Sequence, residues 1–210
     1  MKASRQFFGT AIAVTAVITA FNLSAAPLPE GGEVNPVPQE PVSGTKLAEQ
    51  TTSFSSMDFS GELISTVLKD DASNPLGGLT FTYEIVLDAM PWNHGISRIS
   101  LNSFHGFQTD VSYTDGTVGI GVPPVSADRT SDGAVVRFTF APGDGLPSGE
   151  NSALLVVQTD SAEYVESFAS LLNGDIAKTG TYAPTLIPEP SMTALLLLGV
   201  GAFAFWNRRT

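Results

Sequence analysis

The chain has 210 residues, 42% of them hydrophobic, with 21 acidic side chains against 10 basic ones and no cysteine. Without cysteine, neither a disulfide framework nor a thiolate metal site can form. The formal net charge of −11 argues against nucleic acid and anionic lipid headgroups as partners of the body. Four of the ten basic residues, Lys2, Arg5, Arg208 and Arg209, lie at the two ends. Setting them aside leaves 21 acids and 6 bases between the ends, a net charge of −15.

The first 25 residues read as a secretory signal peptide. Lys2 and Arg5 precede an uncharged stretch containing the apolar series 11–20, and small residues Ser24, Ala25 and Ala26 close it. A basic flank, a short apolar core and a small-residue cleavage site are the parts that export requires. The expected cut follows Ala25, because a cut after Ala26 would put Pro27 directly beyond the scissile bond. Residues 26–50 come next, where Pro27, Pro29, Pro36, Pro38 and Pro41 alternate with Gly31, Gly32 and glutamates. No apolar period runs through them, so the stretch is expected to be an extended or disordered linker.

From residue 51 the pattern changes to period two, and residues 51–185 are expected to form one domain, long enough to bury a core unaided. The clearest strand is 79–88, with Leu79, Phe81, Tyr83, Ile85 and Leu87 on one face and Thr80, Thr82 and Glu84 on the other. Alternation of this kind marks a half-buried strand. Further strands are expected at 54–59, 62–68, 96–104, 107–113, 117–122, 135–140 and 154–159. Turn signals separate them: Asn74-Pro75, Gly77-Gly78, Asp115-Gly116, Pro123-Pro124, Asp132-Gly133 and Pro142-Gly143. Residues 161–172 break the pattern, placing Tyr164, Val165, Phe168, Leu171 and Leu172 at helical spacing, and predict a short helix. The fold class that follows is all-β, an antiparallel β-sandwich of jelly-roll type, with an immunoglobulin-like sandwich as the alternative. A signal helix would precede it and a transmembrane helix would follow.

Little in the body carries chemistry. His94 and His105 are the two histidines, with no Gly-x-Ser-x-Gly elbow beside them, and eleven residues apart they do not make a zinc site. Asp70 with Asp71, and Glu163 with Glu166, imitate the carboxylate pair of a glycosidase, but any acidic β-protein offers such pairs. The expectation is no enzyme, with a secreted hydrolase as the least favoured alternative. No cofactor is expected. Loop calcium is the metal these residues leave open, at Asp128, Thr130, Ser131 and Asp132 or at Asp70, Asp71, Ser73 and Asn74, and polar turns use the same residues. Tyr83, Tyr113 and Phe107 read as core. Trp92 lies outside a strand beside Asn93 and His94, so these three mark the candidate ligand face, for instance for a sugar ring.

The last residues are the most informative. Ile187-Pro188-Glu189-Pro190-Ser191 leads into an apolar run ending at Trp206, and Asn207-Arg208-Arg209-Thr210 closes the chain. A helix over 191–206 would be about 24 Å long at 1.5 Å per residue, just short of a hydrocarbon core of about 30 Å. Trp206 suits the interface, and Arg208 and Arg209 a cytoplasmic end. Pro188 and Pro190 keep the segment before the helix extended.

In this order, the tripeptide, the short helix and the basic pair resemble the PEP-CTERM sorting signal of Gram-negative and related bacteria. The resemblance covers residues 186–210. It implies an exosortase, a membrane-embedded protease, as partner, with Pro188, Glu189, Pro190 and Ser191 as its processing motif. Residues 149–160 also resemble a strand found near the end of many PEP-CTERM ectodomains. The function expected is that of an exported, non-catalytic surface or extracellular-matrix protein, with a carbohydrate-binding module as the alternative. It would be held in the inner membrane with its C-terminus cytoplasmic, then processed and delivered to the cell surface or beyond, where polysaccharide is its neighbour.

Overall fold

The structure is a computed structural model that describes residues 25–39, 41–89, 94–116, 121–141 and 145–186. The expected signal segment up to residue 24, the transmembrane helix at 191–206 and residues 117–120 lie outside the described residues. Twelve strands follow in chain order: β1 (Ala26–Pro27), β2 (Glu33–Val34), β3 (Thr45–Ser55), β4 (Ser60–Lys69), β5 (Thr80–Leu87) and β6 (Arg98–Asn102); then β7 (Thr109–Thr114), β8 (Ser126–Arg129), β9 (Val135–Thr139), β10 (Leu154–Thr159), β11 (Glu163–Asn173) and β12 (Asp175–Thr185). They form two six-stranded sheets, β1-β7-β10-β5-β4-β3 and β12-β11-β6-β9-β8-β2, and every pairing between named strands is antiparallel.

Period-two alternation places the core between the sheets. From the first sheet come Leu63 and Val67 of β4, Phe81, Tyr83 and Ile85 of β5, Val111 of β7, and Leu155 and Val157 of β10. The second sheet supplies Ile99 and Leu101 of β6, Val136 and Phe138 of β9, and Ala169 and Leu171 of β11. Phe104, just past β6, meets Phe81 edge-on at 6.2 Å, so a ring contact bridges the layers. Each fully buried large side chain contributes about 1.5–3 kcal/mol over leaving it in water, and this face-to-face burial holds the sandwich together.

A sandwich also has sides, where edge strands would leave backbone groups unpaired. On one side, β12 leans on the inner face of the first sheet. Thr52 Oγ1 donates to Gly180 O at 2.7 Å, Tyr182 N donates to Ser65 Oγ at 3.2 Å, and the hydroxyl of buried Tyr83 donates to Tyr182 O at 2.8 Å. The other side is sealed by the N-terminal segment. There β1 pairs with β7 of the first sheet, β2 pairs with β8 of the second, and Pro38 returns to bridge Tyr113. Between β1 and β2, Leu28 is buried in the common core.

Two expectations are thereby corrected. Residues 26–50, expected as a linker, belong to the fold: they supply β1, β2 and the start of β3. Prolines suit such edges, since a paired edge strand needs only half its N–H groups, and the anchoring apolar residue is the single Leu28, which creates no period. The helix expected at 161–172 is instead β11. Its helical spacing came from residues on both faces: Leu171 points into the core with Ala169, while Val165 and Phe168 stay exposed. Gly174, at φ 77°, tips the hairpin into β12, which has too many small and polar residues to show an apolar alternation. The strand expected at 54–59 proves to be the end of β3 followed by a turn in which Ser56 N donates to Phe59 O. Those at 62–68, 79–88, 96–104, 107–113, 135–140 and 154–159 correspond to β4, β5, β6, β7, β9 and β10.

Leu28 discriminates a sealed side from a linker. Leu28→Ala should cost about 2–5 kcal/mol in urea unfolding, the range for emptying a core site; a linker residue would leave the midpoint where it was.

Candidate functional site

One end of the sandwich gathers the polar features. Here β7 begins, β8 and β10 end, β11 starts and β12 finishes, so the described chain leaves the fold at this end. Arg129, the last residue of β8, is 4% exposed. Its Nε donates to Gly133 O at 3.0 Å, one terminal nitrogen reaches Thr109 Oγ1 at 3.1 Å and Leu28 O at 3.5 Å, and the other reaches Phe104 O at 2.6 Å and Phe107 O at 2.9 Å. A planar guanidinium with five donors is the side chain that can tie so many carbonyls together. Burial pulls Arg129 below its usual pKa range, and the fields of Glu30, Asp160 and Asp132 act in the opposite sense.

Beside Arg129 lies an open cleft of about 540 Å³. Pro27, Leu28, Pro29 and Glu30 form one wall, residues 106–110 the other, and Asp160 the rim. Asp160 Oδ1 accepts from Gln108 N at 2.9 Å, which fixes the loop ahead of β7. Asp110, opposite Pro27 in the ladder, is 7% exposed, and burial raises its carboxyl above the usual range. Sequence reading missed this site. Its parts come from four separate segments, and the one visible sign was a basic residue, Arg129, two positions from the inward-facing Ala127.

The two oxygen-rich turns considered for calcium use their side chains locally. Asp71 accepts from Ser43 N, Ser73 N, Ser73 Oγ and Thr80 Oγ1, the last at 2.8 Å. Asn74 Nδ2 donates to the carbonyls of Gly78 and Thr159, which presses the 71–79 loop onto the end of β10. Gly78 is required for that approach, because a Cβ there would sit 2.5 Å from the backbone of Asp160 and Ser161. In the other turn Asp132 Oδ1 accepts from Thr130 Oγ1 and Ala134 N, while Asp128 is ion-paired with Arg137. Among the described residues no three His, Asp or Glu side chains converge as a metal site.

His94 is exposed, and Asn173 at the Gly174 hairpin donates to its carbonyl at 2.8 Å. That puts it at the end of the sandwich opposite the cleft. Its expected neighbours Trp92 and Asn93 lie outside the described residues. His105 sits at the cleft end, its ring Nδ1 against Asp132 O, so the two histidines do not meet. Tyr83 is core, as expected, whereas Phe107 is half-buried on the cleft wall.

Thr185 ends β12 and Leu186 beyond it is exposed. The next residues carry the match to a known family: the family model for the PEP-CTERM protein-sorting motif covers residues 186–209. This chain carries a PEP-CTERM sorting segment. No curated protein and no solved structure matches the chain. The PEP-CTERM match bears out the resemblance drawn from Pro188-Glu189-Pro190 and marks an exported protein sorted by an exosortase. Pro188, Glu189, Pro190, Ser191, Arg208 and Arg209 themselves lie outside the described residues. Among the described residues no helix is long and apolar enough to cross a membrane.

Asp71 generates a pH prediction. Burial pushes its carboxyl up, but hydrogen bonds from Thr80, Ser73 and Ser43 outweigh burial and leave it below the usual range. A depressed folded-state pKa gives stability that is present above the unfolded value of about 3.9 and lost as pH falls through the folded one. Asp71→Asn should therefore unfold more easily at pH 7, by about 1–3 kcal/mol for the disrupted buried hydrogen bonds. The gap from the parent should shrink in urea titrations at progressively more acid pH.

Proposed function

We propose that the protein is a non-catalytic, exported β-sandwich of the cell surface or extracellular matrix, processed by an exosortase at Pro188-Glu189-Pro190. The observation that carries this reading is the junction between fold and motif. The β12 ladder runs to Thr185, whose backbone oxygen accepts from Ser161 Oγ at 3.2 Å, and the sorting segment begins at residue 186. Folded domain and sorting segment therefore abut with no spacer, as expected of a folded cargo domain carrying its own address. Leu186 and Ile187 alone lie between Thr185 and Pro188, three residue steps with a reach of about 10 Å, so the protease must work close against the folded sandwich. In this reading residues 191–206 hold the intermediate in the inner membrane, with Arg208 and Arg209 on the cytoplasmic side and a signal peptide cut after Ala25.

The non-catalytic part of the reading is supported by the separation of His94 and His105 at opposite ends, so the two histidines do not share one site. The sandwich is read as jelly-roll-like because β5, β6 and β7 alternate between the two sheets, as do β9, β10 and β11.

A second reading, carbohydrate binding, has one observation in its favour. On the outer face of the β11–β12 hairpin Phe168 is 45% exposed with Lys178 Nζ 5.2 Å from its ring centre, and Tyr164 and Tyr182 stand edge-to-face at 5.5 Å on the same face. Aromatic faces of this kind stack on the apolar side of sugar rings.

Intact mass of the protein from membrane and extracellular fractions tests the main reading. The extracellular form should end near Pro188 to Pro190. Glu189→Ala or Pro190→Ala should leave the chain in the membrane still ending at Thr210, and processing at the parental rate in both variants would remove the role assigned to the motif.

A further inference from the structure

The second sheet turns its outer face to solvent, and two cations on that face stand without a counter-charge. Between its two ends the chain has 21 acids and 6 bases, so a base with no acid beside it is not explained by a shortage of acids. Among the described residues the ion pairs are Lys46 with Glu49 and Arg137 with Asp128. Arg98 of β6 and Lys178 of β12 have no acidic partner there. Lys178 Nζ stands 5.2 Å from the ring centre of Phe168. Arg98 makes no hydrogen bond among the described residues, and its Nε is buried with no acceptor. A guanidinium is a rigid fork of five donors. Arg129 directs its donors into the fold, and Arg98 keeps them for something else.

Strand register shows how these groups lie. Ile99 and Leu101 of β6 are in the core, so Arg98 and Ser100 point outward by alternation. Residues opposite one another in a ladder share a face: Arg98 stands between Leu172 and Thr139, and Ser100 is followed across β11 by Ser170 and across β12 by Lys178. Arg98 and Lys178 are therefore two strands apart, about 10 Å, beside a low floor of Ser100 and Ser170. The acids of this face are elsewhere or in use. Asp128 is held by Arg137, whose Nε donates to it at 2.6 Å. Glu33 lies beyond Asp128 at the far edge of the sheet. Glu166 is six residues before Leu172, about 20 Å along β11.

The chemistry on offer narrows the ligand. Two unpaired cations call for an anion, and the fork of Arg98 matches a carboxylate. Because β11, β6 and β9 are interior strands of the sheet, their backbone groups are taken up in ladders, and a peptide cannot add itself here as a further strand. What remains is charge, the hydroxyls of Ser100 and Ser170, and the half-exposed ring of Phe168. A sugar ring that carries a carboxylate uses all three.

We propose that the outer face of β12, β11 and β6 binds an acidic polysaccharide, with Arg98 and Lys178 meeting the carboxylates of its hexuronate units and Phe168 stacking on a ring. This assignment rests on the carbohydrate-binding reading above and gives it an anionic substrate class and a charge-bearing residue, Arg98. The site is separate from the cleft beside Arg129.

Trigalacturonate is the probe and cellotriose its neutral counterpart. Calorimetric titration into the full chain, in micelles of a polyoxyethylene detergent that carries no sugar headgroup, should show saturable binding of trigalacturonate that weakens with added salt. Cellotriose should bind at least tenfold more weakly. Arg98→Gln should lower affinity for trigalacturonate about tenfold or more and leave the thermal unfolding midpoint where it was. Arg98→Lys, which keeps the charge without the fork, should fall between the two. Phe168→Ala should weaken both sugars, and Lys46→Gln on β3 should change neither. Equal affinity for the two sugars, undiminished in Arg98→Gln, would overturn this assignment and leave the carbohydrate reading in place. No saturable heat with either sugar would overturn both. Tighter binding of a polyglutamate peptide than of trigalacturonate would replace the polysaccharide with an acidic protein segment and so overturn the assignment as well.

Discussion

Two stacked sheets bury their inner faces readily; their open sides are the harder constraint, and this chain closes them with the first and last segments of the described fold, residues 26–38 and β12. An unsealed edge presents a row of unpaired N–H and C=O groups to water and to other chains. The N-terminal segment pairs with β7 on one sheet and with β8 on the other, and Leu28 drops into the core between those pairings. On the opposite side β12 rests on Thr52, Ser65 and Tyr83, whose hydroxyls meet its outward backbone groups. The core is consequently enclosed on four sides, although the sandwich has no disulfide to hold it.

This closure positions the polar end of the molecule. Arg129 can be buried because the N-terminal segment brings Leu28 O to it, and the loops at 104–107 and 130–133 bring the remaining carbonyls. In return the guanidinium ties these three segments to one another. The cleft is the space left where the N-terminal segment crosses the start of β7. Loop 71–79 is fastened to the same end by Asp71 and Asn74, so it too is tied to the platform from which β12 departs toward the sorting segment.

The sequence showed strands wherever one face was plainly apolar, as in β4, β5, β9 and β10. It failed where tertiary context replaced pattern. β12 alternates small and polar residues because much of its partner surface is a row of hydroxyls rather than a hydrophobic layer. β11 presented a mixture of inward Leu171 and outward Phe168 that imitates a helix. β1 and β2 are two residues each, too short for any period, and they exist because β7 and β8 offer them edges.

The sorting segment was legible from sequence alone because its parts are contiguous and its meaning lies in chemical order: rigid tripeptide, apolar run, basic pair. The all-β class was likewise legible, since alternation is a local property of the chain. The cleft was not, because Leu28, Asp110, Arg129 and Asp160 are far apart in the chain and each alone reads as an ordinary linker, strand or turn residue. Only the pairing of strands, which sets Pro27 and Gln158 against Asp110 and carries Leu28 to Arg129, decided that these residues would meet at one end of the sandwich, because a ladder joins segments whatever their separation along the chain.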